Sequence, residues 1–362
     1  MNERSVNAIS MQGFKCFDNL RLELGQLTLV TGFNGGGKST ALQPLLLCSQ
    51  AIRLGKLDKL PLNGLLVRLG TAGDISSKQS DRQMLLQVDG NDGKFAVQPR
   101  LSAGDRILPL SNAPESHRSE KLERALKNLS FLGAVRIGPE DAFPLPESVE
   151  VRDVGHDGSF APYWFDRLAD DEIDPRRLFP DTEASTFRKQ LDSWLASLFP
   201  NASANVQNVL ATSQMNLQFR LSELGSWQRP SNIGYGLTYA FPILVALLAA
   251  SPKQVIVIDS PEAHLHPSAQ SQMGRILAAF ANAGVQIIVE THSDHLLNGV
   301  RLALRDGHIR PDDLRIHFFN GANGKKHGVT TPGIGAGGEI YEWPEGFFDQ
   351  SEKDLSKLAG WN

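Results

Sequence analysis

The stretch GFNGGGKST, residues 32–40, constrains the fold of this chain more than any other part of its sequence. It satisfies the pattern G-x-x-x-x-G-K-[ST] through Gly32, Gly37, Lys38 and Ser39. Glycines let backbone N–H groups turn inward around an anion, and the lysine adds a mobile positive charge. The sequence also predicts an apolar strand at 27–30 and a helix at 39–52, which is the context that such a loop requires. The stretch therefore predicts a site for the phosphates of a nucleotide.

The phosphate contacts are expected from consecutive residues of this loop: Asn34, Gly35, Gly36, Gly37, Lys38, Ser39 and Thr40. The helix that follows would direct its N-terminal dipole at the same anion. Ser39 offers a hydroxyl to Mg²⁺, so ATP and Mg²⁺ are the expected cofactors. The alternative is a glycine-rich turn that matches by chance in a chain with 33 glycines. The flanking strand and helix favour the nucleotide site.

Two further apolar strands end in residues that could complete this site. The segment VIVIDSPEAHLHP, residues 255–267, places Asp259 at the end of a buried strand, where its carboxylate can face Mg²⁺. The segment IIVETHS, residues 287–293, places His292 after another buried strand. A helix is predicted between them at 267–283. This alternation of strand and helix predicts an α/β fold for the second half of the chain.

These motifs together resemble a known family. Asn34 makes GFNGGGKS similar to the G-x-N-G-x-G-K-S loop (Walker A) of ABC-type ATPases, in particular of the SMC/RecF/OLD branch. The segment VIVIDSPEAHLHP is similar to the Walker B segment D-E-P-E-x-H-L-H-P of RecF- and OLD-like ATPases. NIGYGLTYAFPILVALL, residues 232–248, resembles their signature segment, and His292 stands in the place of their switch histidine. The four motifs follow the family's order over essentially the whole chain.

The resemblance implies an α/β fold, that of an ABC ATPase head with a P-loop, a mixed sheet, N-terminal antiparallel strands and an inserted mainly helical lobe. Three divisions are expected: an N-terminal ATPase lobe, the inserted lobe and a C-terminal ATPase lobe, at 1–110, 111–225 and 226–362. The residue pattern itself predicts a hairpin, a stretch of mostly loops and an amphipathic helix, at 83–98, 138–182 and 187–199.

The resemblance also implies roles for residues outside the loop. Asp259 would hold Mg²⁺ together with Ser39, and His292 would contact the γ-phosphate. The start of the signature helix would present N–H groups and a hydroxyl to a nucleotide bound on another subunit, through Gly234, Gly236 and Thr238. Serine is commoner at the position of Thr238. This arrangement implies a homodimer or a higher homo-oligomer.

One position departs from the family pattern. Ser260 stands where these ATPases usually carry the glutamate that polarises the attacking water, and a hydroxyl cannot act as a base at neutral pH. Glu262, two residues on, is therefore assigned as the base, and Asp259 and His292 are the other expected catalytic residues. Alternatively, Glu262 anchors the following loop and the protein cleaves ATP slowly.

The histidines allow a different interpretation, that of a metal-dependent hydrolase. His264 and His266 form an H-x-H pair after a strand, and His292 and His295 follow further along the chain. In hydrolases of the amidohydrolase kind such a pair usually opens the chain, whereas here a phosphate loop does. Pro267 also indicates that His266 caps a helix. The favoured role of the pair is to fix a loop at the subunit interface.

Several features of related ATPases are not expected in this chain. The sequence shows no heptads for a coiled-coil arm, and no D-x-D pair of a Toprim nuclease follows His292. The longest apolar run, 240–250, is half a membrane span, and the first residues lack the apolar core of a signal peptide. Cys16 and Cys48 form no disulfide framework. We therefore expect a cytoplasmic protein without a membrane partner.

Three other segments resemble parts of small stand-alone bacterial ATPases, at 134–140, 153–159 and 340–350. In the first of them, Arg136 is considered as a contact to nucleotide or to a partner. By this resemblance, the protein is expected to hydrolyse ATP, dimerise around it and control a separately encoded effector, a nuclease, in bacterial anti-phage defence. The alternatives are a RecF-like repair clamp that binds DNA directly, and a scaffold that binds ATP without hydrolysing it. The net charge of −4 does not favour DNA binding.

Overall fold

The computed structural model describes residues 4–56, 58–77, 83–111, 119–180, 182–209, 211–323, 326–342, 344, 346, 348 and 350–360. The strands in chain order are β1 Ala8–Phe14, β2 Phe17–Glu23, β3 Leu27–Gly32, β4 Lys59–Pro61, β5 Leu85–Asp89, β6 Lys94–Val97, β7 Ile107–Pro109, β8 Ser130–Leu132, β9 Ala142–Pro144, β10 Ser203–Val209, β11 Gln214–Arg220, β12 Val255–Asp259, β13 Gln286–Glu290, β14 Leu314–Asn323, β15 Lys326–Thr330, β16 Gly333–Ile334 and β17 Ile340–Tyr341. The helices are α1 Lys38–Arg53, α2 Ala72–Ile75, α3 Glu120–Lys127, α4 Ala161–Leu168, α5 Phe187–Leu198, α6 Tyr235–Ala249, α7 Pro267–Asn282, α8 Asp294–Arg305 and α9 Gln350–Leu358.

A six-stranded sheet forms the centre of the fold, with the strand order β15-β14-β3-β13-β12-β8. Strands β14, β3, β13, β12 and β8 run parallel to their neighbours, while β15 is antiparallel to β14. Helices α7 and α8 make the crossovers that parallel neighbours need, from β12 to β13 and from β13 to β14. The mixed α/β sheet expected from the sequence is therefore confirmed.

Both faces of this sheet are covered, which explains why its central strands are apolar throughout. In β12, Ile256 and Ile258 belong to one hydrophobic cluster, whereas Val255 and Val257 belong to a second. Successive side chains of a strand point to opposite faces, so one short strand contributes to both clusters. The first cluster includes residues of α5, α6 and α7, and the second includes residues of α1 and the N-terminal strands.

The N-terminal strands form a separate antiparallel sheet with the order β2-β1-β5-β6. The predicted hairpin corresponds to β5 and β6, which pair antiparallel. Helix α1 packs against β1 and β5 of this sheet and follows β3 of the central sheet. The expected N-terminal antiparallel strands are thus present, and they hold α1 between the two sheets.

The segment 111–225 contains strands as well as helices. Strand β8 joins the central sheet, and β9, β10 and β11 form a three-stranded antiparallel sheet. The predicted helix at 187–199 is confirmed as α5, but the prediction of mostly loops at 138–182 is wrong where β9 and α4 lie. Pro162 lies in the first turn of α4, where a proline removes no helical hydrogen bond. The lobe boundaries at 110 and 225 stay predictions.

The remaining sequence expectations concern the end of the chain and the membrane. Strand β17 and helix α9 lie in or beside the segment 340–350, of which residues 343, 345, 347 and 349 lie outside the described residues. Within the described part of the chain, no helix combines the length and apolar character that a bilayer crossing requires.

Candidate nucleotide site at the carboxyl edge of the central sheet

The phosphate loop lies between the end of β3 and the start of α1. Gly37 directly precedes α1 and has a φ of 98°, a left-handed conformation that glycine adopts without strain. A Cβ atom on Gly37 would also come within 2.6 Å of the ring of Phe17, the first residue of β2. The loop therefore requires glycine at this position for its backbone turn and for its packing against the N-terminal sheet.

The other predicted phosphate contacts follow the same turn. Asn34 and Gly35 are exposed, whereas Gly36 is buried. Ser39 and Thr40 lie in the first turn of α1. Backbone N–H groups at a helix N-terminus have no partner within the helix, and they favour an anion. The predicted residues thus form one continuous turn that leads into a helix N-terminus.

Lys38 is buried within the loop, with 4% of its surface exposed. Its ammonium group donates hydrogen bonds to the carbonyl oxygens of Gly32 at 3.1 Å and Phe33 at 2.9 Å. Burial lowers the pKa of Lys38, while the carboxylates of Glu290 and Asp259 oppose this shift. The loop therefore holds a positive charge at its centre, and two carboxylates lie within electrostatic reach of that charge.

These two carboxylates end neighbouring strands of the central sheet. Asp259 is the last residue of β12, Glu290 is the last residue of β13, and the two are paired in the parallel register. Ser39 Oγ donates a hydrogen bond to Oε1 of Glu290 at 2.9 Å. Burial, followed by repulsion from Asp259, raises the pKa of Glu290 to about 7. Ser39, Asp259 and Glu290 thus meet beside the phosphate loop.

Sequence reasoning missed Glu290, although a signal was present. A carboxylate ends the apolar run VQIIVE just as Asp259 ends VIVID. Strand β13 lies between β12 and β3, and β3 leads directly into the phosphate loop. Glu290 is therefore one strand closer to the loop than Asp259, the carboxylate that the sequence identified.

The oxygen atoms gathered at this point fit Mg²⁺. A hydroxyl and two carboxylates are hard ligands, and Mg²⁺ usually completes its octahedron with water and phosphate oxygens. Ser39 and Asp259 are the residues that would hold the ion, and Glu290 lies beside both of them. Within the described ranges, no three or more His, Cys, Asp or Glu side chains are grouped to hold a metal ion.

The H-x-H histidines are engaged in packing and capping. The ring of His264 packs against the rings of Tyr239 and Tyr235, with centroid distances of 4.6 Å and 5.2 Å. His266 directly precedes α7, and its Nδ1 accepts a hydrogen bond from the N–H of Ser268 at 3.4 Å. The predicted capping role of His266 is confirmed. These positions give the metal-dependent hydrolase interpretation no support.

Glu262 links the Walker B turn to the segment that carries His292. Its Oε1 accepts a hydrogen bond from the backbone N–H of His292 at 2.8 Å. Its Oε2 is buried and has no hydrogen-bond partner among the described residues. Burial raises the pKa of Glu262, and repulsion from Asp259 adds to the rise. One oxygen of this carboxylate thus anchors a loop, while the other is unpaired.

Ser260 and His292 lie on either side of this link. Ser260 has a left-handed φ of 50° and donates a hydrogen bond from Oγ to Oδ1 of Asp259 at 2.8 Å. It therefore supports the Walker B carboxylate. Partial burial lowers the pKa of His292, and the positive charge of Lys38 lowers it further. Burial and Lys38 thus favour the neutral form of the His292 imidazole, while the carboxylate of Asp259 opposes the shift in its pKa.

Arg136 takes a different place from the one considered in the sequence analysis. It is 3% exposed, and its guanidinium donates hydrogen bonds to the carbonyl oxygens of Asp259 at 2.8 Å and Ser260 at 3.3 Å. The guanidinium also lies over the ring of Tyr239, at 5.5 Å from its centroid. Burial lowers the pKa of Arg136 to about 10, and Asp259 opposes this shift. Arg136 thus fixes the Walker B backbone from inside the protein.

The signature helix α6 begins next to an exposed glycine. Gly234 precedes α6, and a Cβ atom on it would meet nothing within 4 Å. A Cβ atom on Gly236 would lie 2.8 Å from the carbonyl oxygen of His264, so this glycine allows close packing on the Walker B segment. Thr238 is buried, and its hydroxyl donates to the carbonyl oxygen of Tyr235 at 2.9 Å. The roles of Gly236 and Thr238 at a second subunit's nucleotide stay predictions.

Two families match this chain. The family described as "AAA domain, putative AbiEii toxin, Type IV TA system" matches residues 27–298, from β3 through the signature helix to α8. The family described as "Protein of unknown function (DUF3696)" matches residues 309–358, which include β14 and α9. No curated protein matches the chain. The first match covers well over half of the chain and includes all four motifs.

Two solved structures share the fold. The SmcHead bound to the C-winged helix domain of ScpA has a TM-score of 0.53 and 12% identity, over 91% of this chain and 98% of that chain. The Smc head domain with an extended coiled coil, bound to the C-terminal domain of ScpA derived from Pyrococcus furiosus, has a TM-score of 0.53 and 12% identity, over 98% of this chain and 99% of that chain. This chain thus belongs to the AAA-domain family that matches its residues 27–298, and it has the P-loop ATPase fold of an SMC head.

Proposed function

We propose that this protein binds ATP with Mg²⁺, hydrolyses it, and closes head to tail with a second copy around two ATP molecules. The observation that supports this proposal most is the meeting of Lys38, Ser39, Asp259 and Glu290 at one edge of the sheet. A polyphosphate requires a concentrated positive charge and a divalent cation. Lys38 supplies the first, and the three oxygen-bearing side chains suit the second.

The side chains divide the work of binding and cleavage. On ATP binding, the ammonium of Lys38 would give up its hydrogen bonds to two loop carbonyl oxygens and donate to phosphate oxygens instead. His292 would face the γ-phosphate as a neutral imidazole. When bound, Mg²⁺ offsets the negative charge of the phosphoryl group that is transferred. Glu262 is the proposed base, because one of its oxygens is unpaired and the usual glutamate is replaced by Ser260.

Nucleotide binding is tested by the Lys38→Ala variant. The ammonium of Lys38 makes two hydrogen bonds that phosphate oxygens would replace, and each charge-assisted bond contributes roughly 1.5–3 kcal/mol. We therefore expect ATP affinity to fall by about 10²- to 10⁴-fold in calorimetric titrations with Mg²⁺. Lys56→Ala, which removes an exposed lysine just beyond α1, is the matched control. Unchanged affinity in a folded Lys38→Ala protein would contradict the proposal.

The head-to-tail dimer is tested with a substitution at the signature helix. Gly236→Asp is unsuitable, because its Cβ would press on the His264 carbonyl. At Gly234 a Cβ atom meets nothing within 4 Å, the φ of −60° suits any residue, and aspartate favours the position before a helix. Its carboxylate would repel only a phosphate bound on the second subunit. Gly104→Asp, another exposed glycine with open space around it, is the charge-matched control.

The decisive measurement mixes Lys38→Ala protein with Gly234→Asp protein. Each variant alone should be inactive, because both of its composite sites are damaged. After subunit exchange, a heterodimer contains one intact site, so a 1:1 mixture should reach about a quarter of wild-type turnover in a two-fold dimer with independent sites. Turnover no higher than that of the separate variants, with exchange verified by a labelled subunit, would exclude this assembly.

A second candidate function is an ATP-dependent scaffold that hydrolyses little ATP. Two observations favour it. Ser260 stands where a glutamate is usual, and one carboxylate oxygen of Glu262 already accepts a hydrogen bond from the N–H of His292. A scaffold would dimerise with Mg-ATP yet show no turnover above that of the Lys38→Ala variant. Sedimentation with ATP, combined with phosphate release, separates the two functions.

The partner that we propose is a separately encoded effector, a nuclease, which the ATPase controls in the cytoplasm during anti-phage defence. The description of the matching family, which names a toxin of a Type IV toxin–antitoxin system, supports a role in such a system, whereas the nuclease partner rests on the resemblance given in the sequence analysis. Phage plating on cells that carry the protein with its neighbouring genes, with and without Lys38→Ala, tests it. Equal plating in both would count against a role in defence. A clamp that binds DNA directly predicts instead salt-dependent DNA binding by the isolated protein.

A further inference from the structure

The carboxylate of Glu290 lies in the segment IIVETHS that carries the switch histidine, but the motif gives this residue no role. The residue is 7% exposed at the end of β13, and it stands beside Asp259 in the sheet register. Lys38 lies within electrostatic reach of both carboxylates. A buried carboxylate requires an opposite charge or hydrogen-bond donors, and the guanidinium of Arg136 lies within electrostatic reach of Asp259 and Glu262. Three carboxylates, those of Asp259, Glu262 and Glu290, thus share two cations. This part of the site therefore has an excess of negative charge that a cation would balance.

The hydrogen bond from Ser39 to Glu290 also sets the direction of the Ser39 hydroxyl. A hydroxyl has one proton to donate and two lone pairs to offer. Because Oγ of Ser39 donates its proton to Oε1 of Glu290 at 2.9 Å, its lone pairs are left for another ligand. A metal ion needs a lone pair of this oxygen and is repelled by the proton. Glu290 thus holds Ser39 in the orientation that a metal ligand requires, which is the usual task of a residue behind a ligand.

A matching contact supports the neighbouring carboxylate. Ser260 donates its hydroxyl proton to Oδ1 of Asp259 at 2.8 Å. Asp259 and Glu290 therefore each accept one serine hydroxyl. Since a carboxylate has about four lone-pair positions, each retains capacity for a cation or for a water bound to it. Asp259 of β12 and Glu290 of β13 are thus the two carboxylates of the site, whereas position 260 carries a serine in place of the usual glutamate.

We propose that Glu290 is a positioning residue of the Mg²⁺ site, which orients the Ser39 hydroxyl and adds a second carboxylate beside Asp259. The inference rests on the proposed binding of Mg-ATP. A residue that only stabilised the fold would affect nucleotide binding equally with and without Mg²⁺, whereas the proposed role of Glu290 depends on the cation. Without a divalent cation, the Glu290 carboxylate repels the phosphates, whereas with the cation it helps to hold the metal. Glu290 therefore raises the thermodynamic coupling between Mg²⁺ and ATP.

The test measures that coupling in the full chain with a fluorescent, non-hydrolysable ATP analogue. Affinity is measured in EDTA and in millimolar Mg²⁺, for the wild-type chain and Glu290→Gln, at a pH above the pKa of Glu290 of about 7 so that the carboxyl group is ionised. We expect Glu290→Gln to bind the analogue at least as tightly as wild type in EDTA and about tenfold or more weakly in Mg²⁺, the usual effect of losing a residue behind a metal ligand. Mn²⁺ bound with the analogue, observed by electron paramagnetic resonance, should show the same loss. Glu120→Gln, on the exposed side of α3, is the control and should match wild type.

A double-mutant cycle of Glu290→Met with Ser39→Ala tests whether Glu290 acts through Ser39, because methionine, unlike glutamine, cannot accept the proton of the Ser39 hydroxyl in place of Glu290. If the two residues act as a unit, the double variant should lose little more affinity for the analogue in Mg²⁺ than the more damaging single variant loses. Equal weakening of Glu290→Gln in EDTA and Mg²⁺, an unchanged Mg²⁺ requirement, or additive losses in the cycle would each overturn the proposal. Glu290→Asp, which keeps the charge, should recover part of the Mn²⁺ binding, and no recovery at all would also count against it. A wild-type chain that binds the analogue in neither condition would refute the proposed nucleotide binding itself.

Discussion

The Glu262→Gln variant separates the two roles that this side chain could have. Glutamine keeps the size of the residue, and its amide oxygen can still accept the hydrogen bond that Oε1 receives from the N–H of His292 at 2.8 Å. Only the charge and the basicity are removed. If Glu262 activates the attacking water, turnover should fall by about 10²- to 10⁴-fold, the usual contribution of a positioned base. If Glu262 is only an anchor, the loss is the difference between a charged and a neutral hydrogen bond, about 1 kcal/mol or roughly fivefold.

Single-turnover cleavage with Mg-ATP, alongside ATP affinity by calorimetry, measures both effects. Because Glu262 is our assigned base, we expect the larger loss, with affinity nearly unchanged. Glu262→Ala is the comparison that also removes the anchor, and it should weaken binding as well as turnover. A Glu262→Gln protein that cleaves ATP at the wild-type rate would falsify the assignment. In that case Ser260→Glu, at a position whose left-handed backbone already carries a side chain, should raise the rate.

Three other substitutions have defined outcomes. Gly37→Ala places a Cβ atom 2.6 Å from the Phe17 ring on a left-handed backbone, so it should cost about 1–3 kcal/mol in thermal unfolding and abolish ATP binding, and a wild-type Tm would contradict this. Arg136→Met leaves the carbonyls of Asp259 and Ser260 without this donor, and urea denaturation should show a net loss of about 1–3 kcal/mol, together with slower turnover. Thr238→Val should slow turnover about tenfold or more while leaving ATP affinity and Tm unchanged, if its hydroxyl turns from Tyr235 to a phosphate on the second subunit. Wild-type turnover in Thr238→Val would show that the hydroxyl serves only its own helix.

The elements around the phosphate loop could be predicted because their sequences allow few alternatives. VIVI and VQIIVE are too apolar for a strand with one face exposed to solvent. Both lie in the buried part of the parallel sheet, as β12 and β13. The glycine pattern also allowed few alternatives, and it predicted the turn between β3 and α1. The structure agrees with this pattern, because Gly37 has no space for a side chain. Motifs whose chemistry depends on adjacent residues were therefore accessible from sequence.

Contacts between distant segments could not be predicted in this way. Arg136 binds a carbonyl 123 positions further along the chain, and nothing local to Arg136 indicates that partner. The importance of Glu290 depends on the order of the strands, because β13 meets β12 on one side and β3 on the other. In 138–182, prolines suggested loops, but Pro162 fits the first turn of a helix that the core stabilises.

The Walker B turn is held from several directions, and this decides how its variants must be interpreted. The N–H of Ser260 donates to the carbonyl of Glu290 at 2.8 Å, the Ser260 hydroxyl supports Asp259, and Arg136 binds the carbonyls of both residues. A loss of turnover in Arg136 or Ser260 variants therefore reports the position of Asp259. The Glu262→Gln protein can still accept the N–H of His292, so a loss of turnover well beyond the roughly fivefold expected for an anchor reports the missing base. The chemistry of cleavage is accordingly tested at Glu262, and its geometry is tested at Ser260 and Arg136.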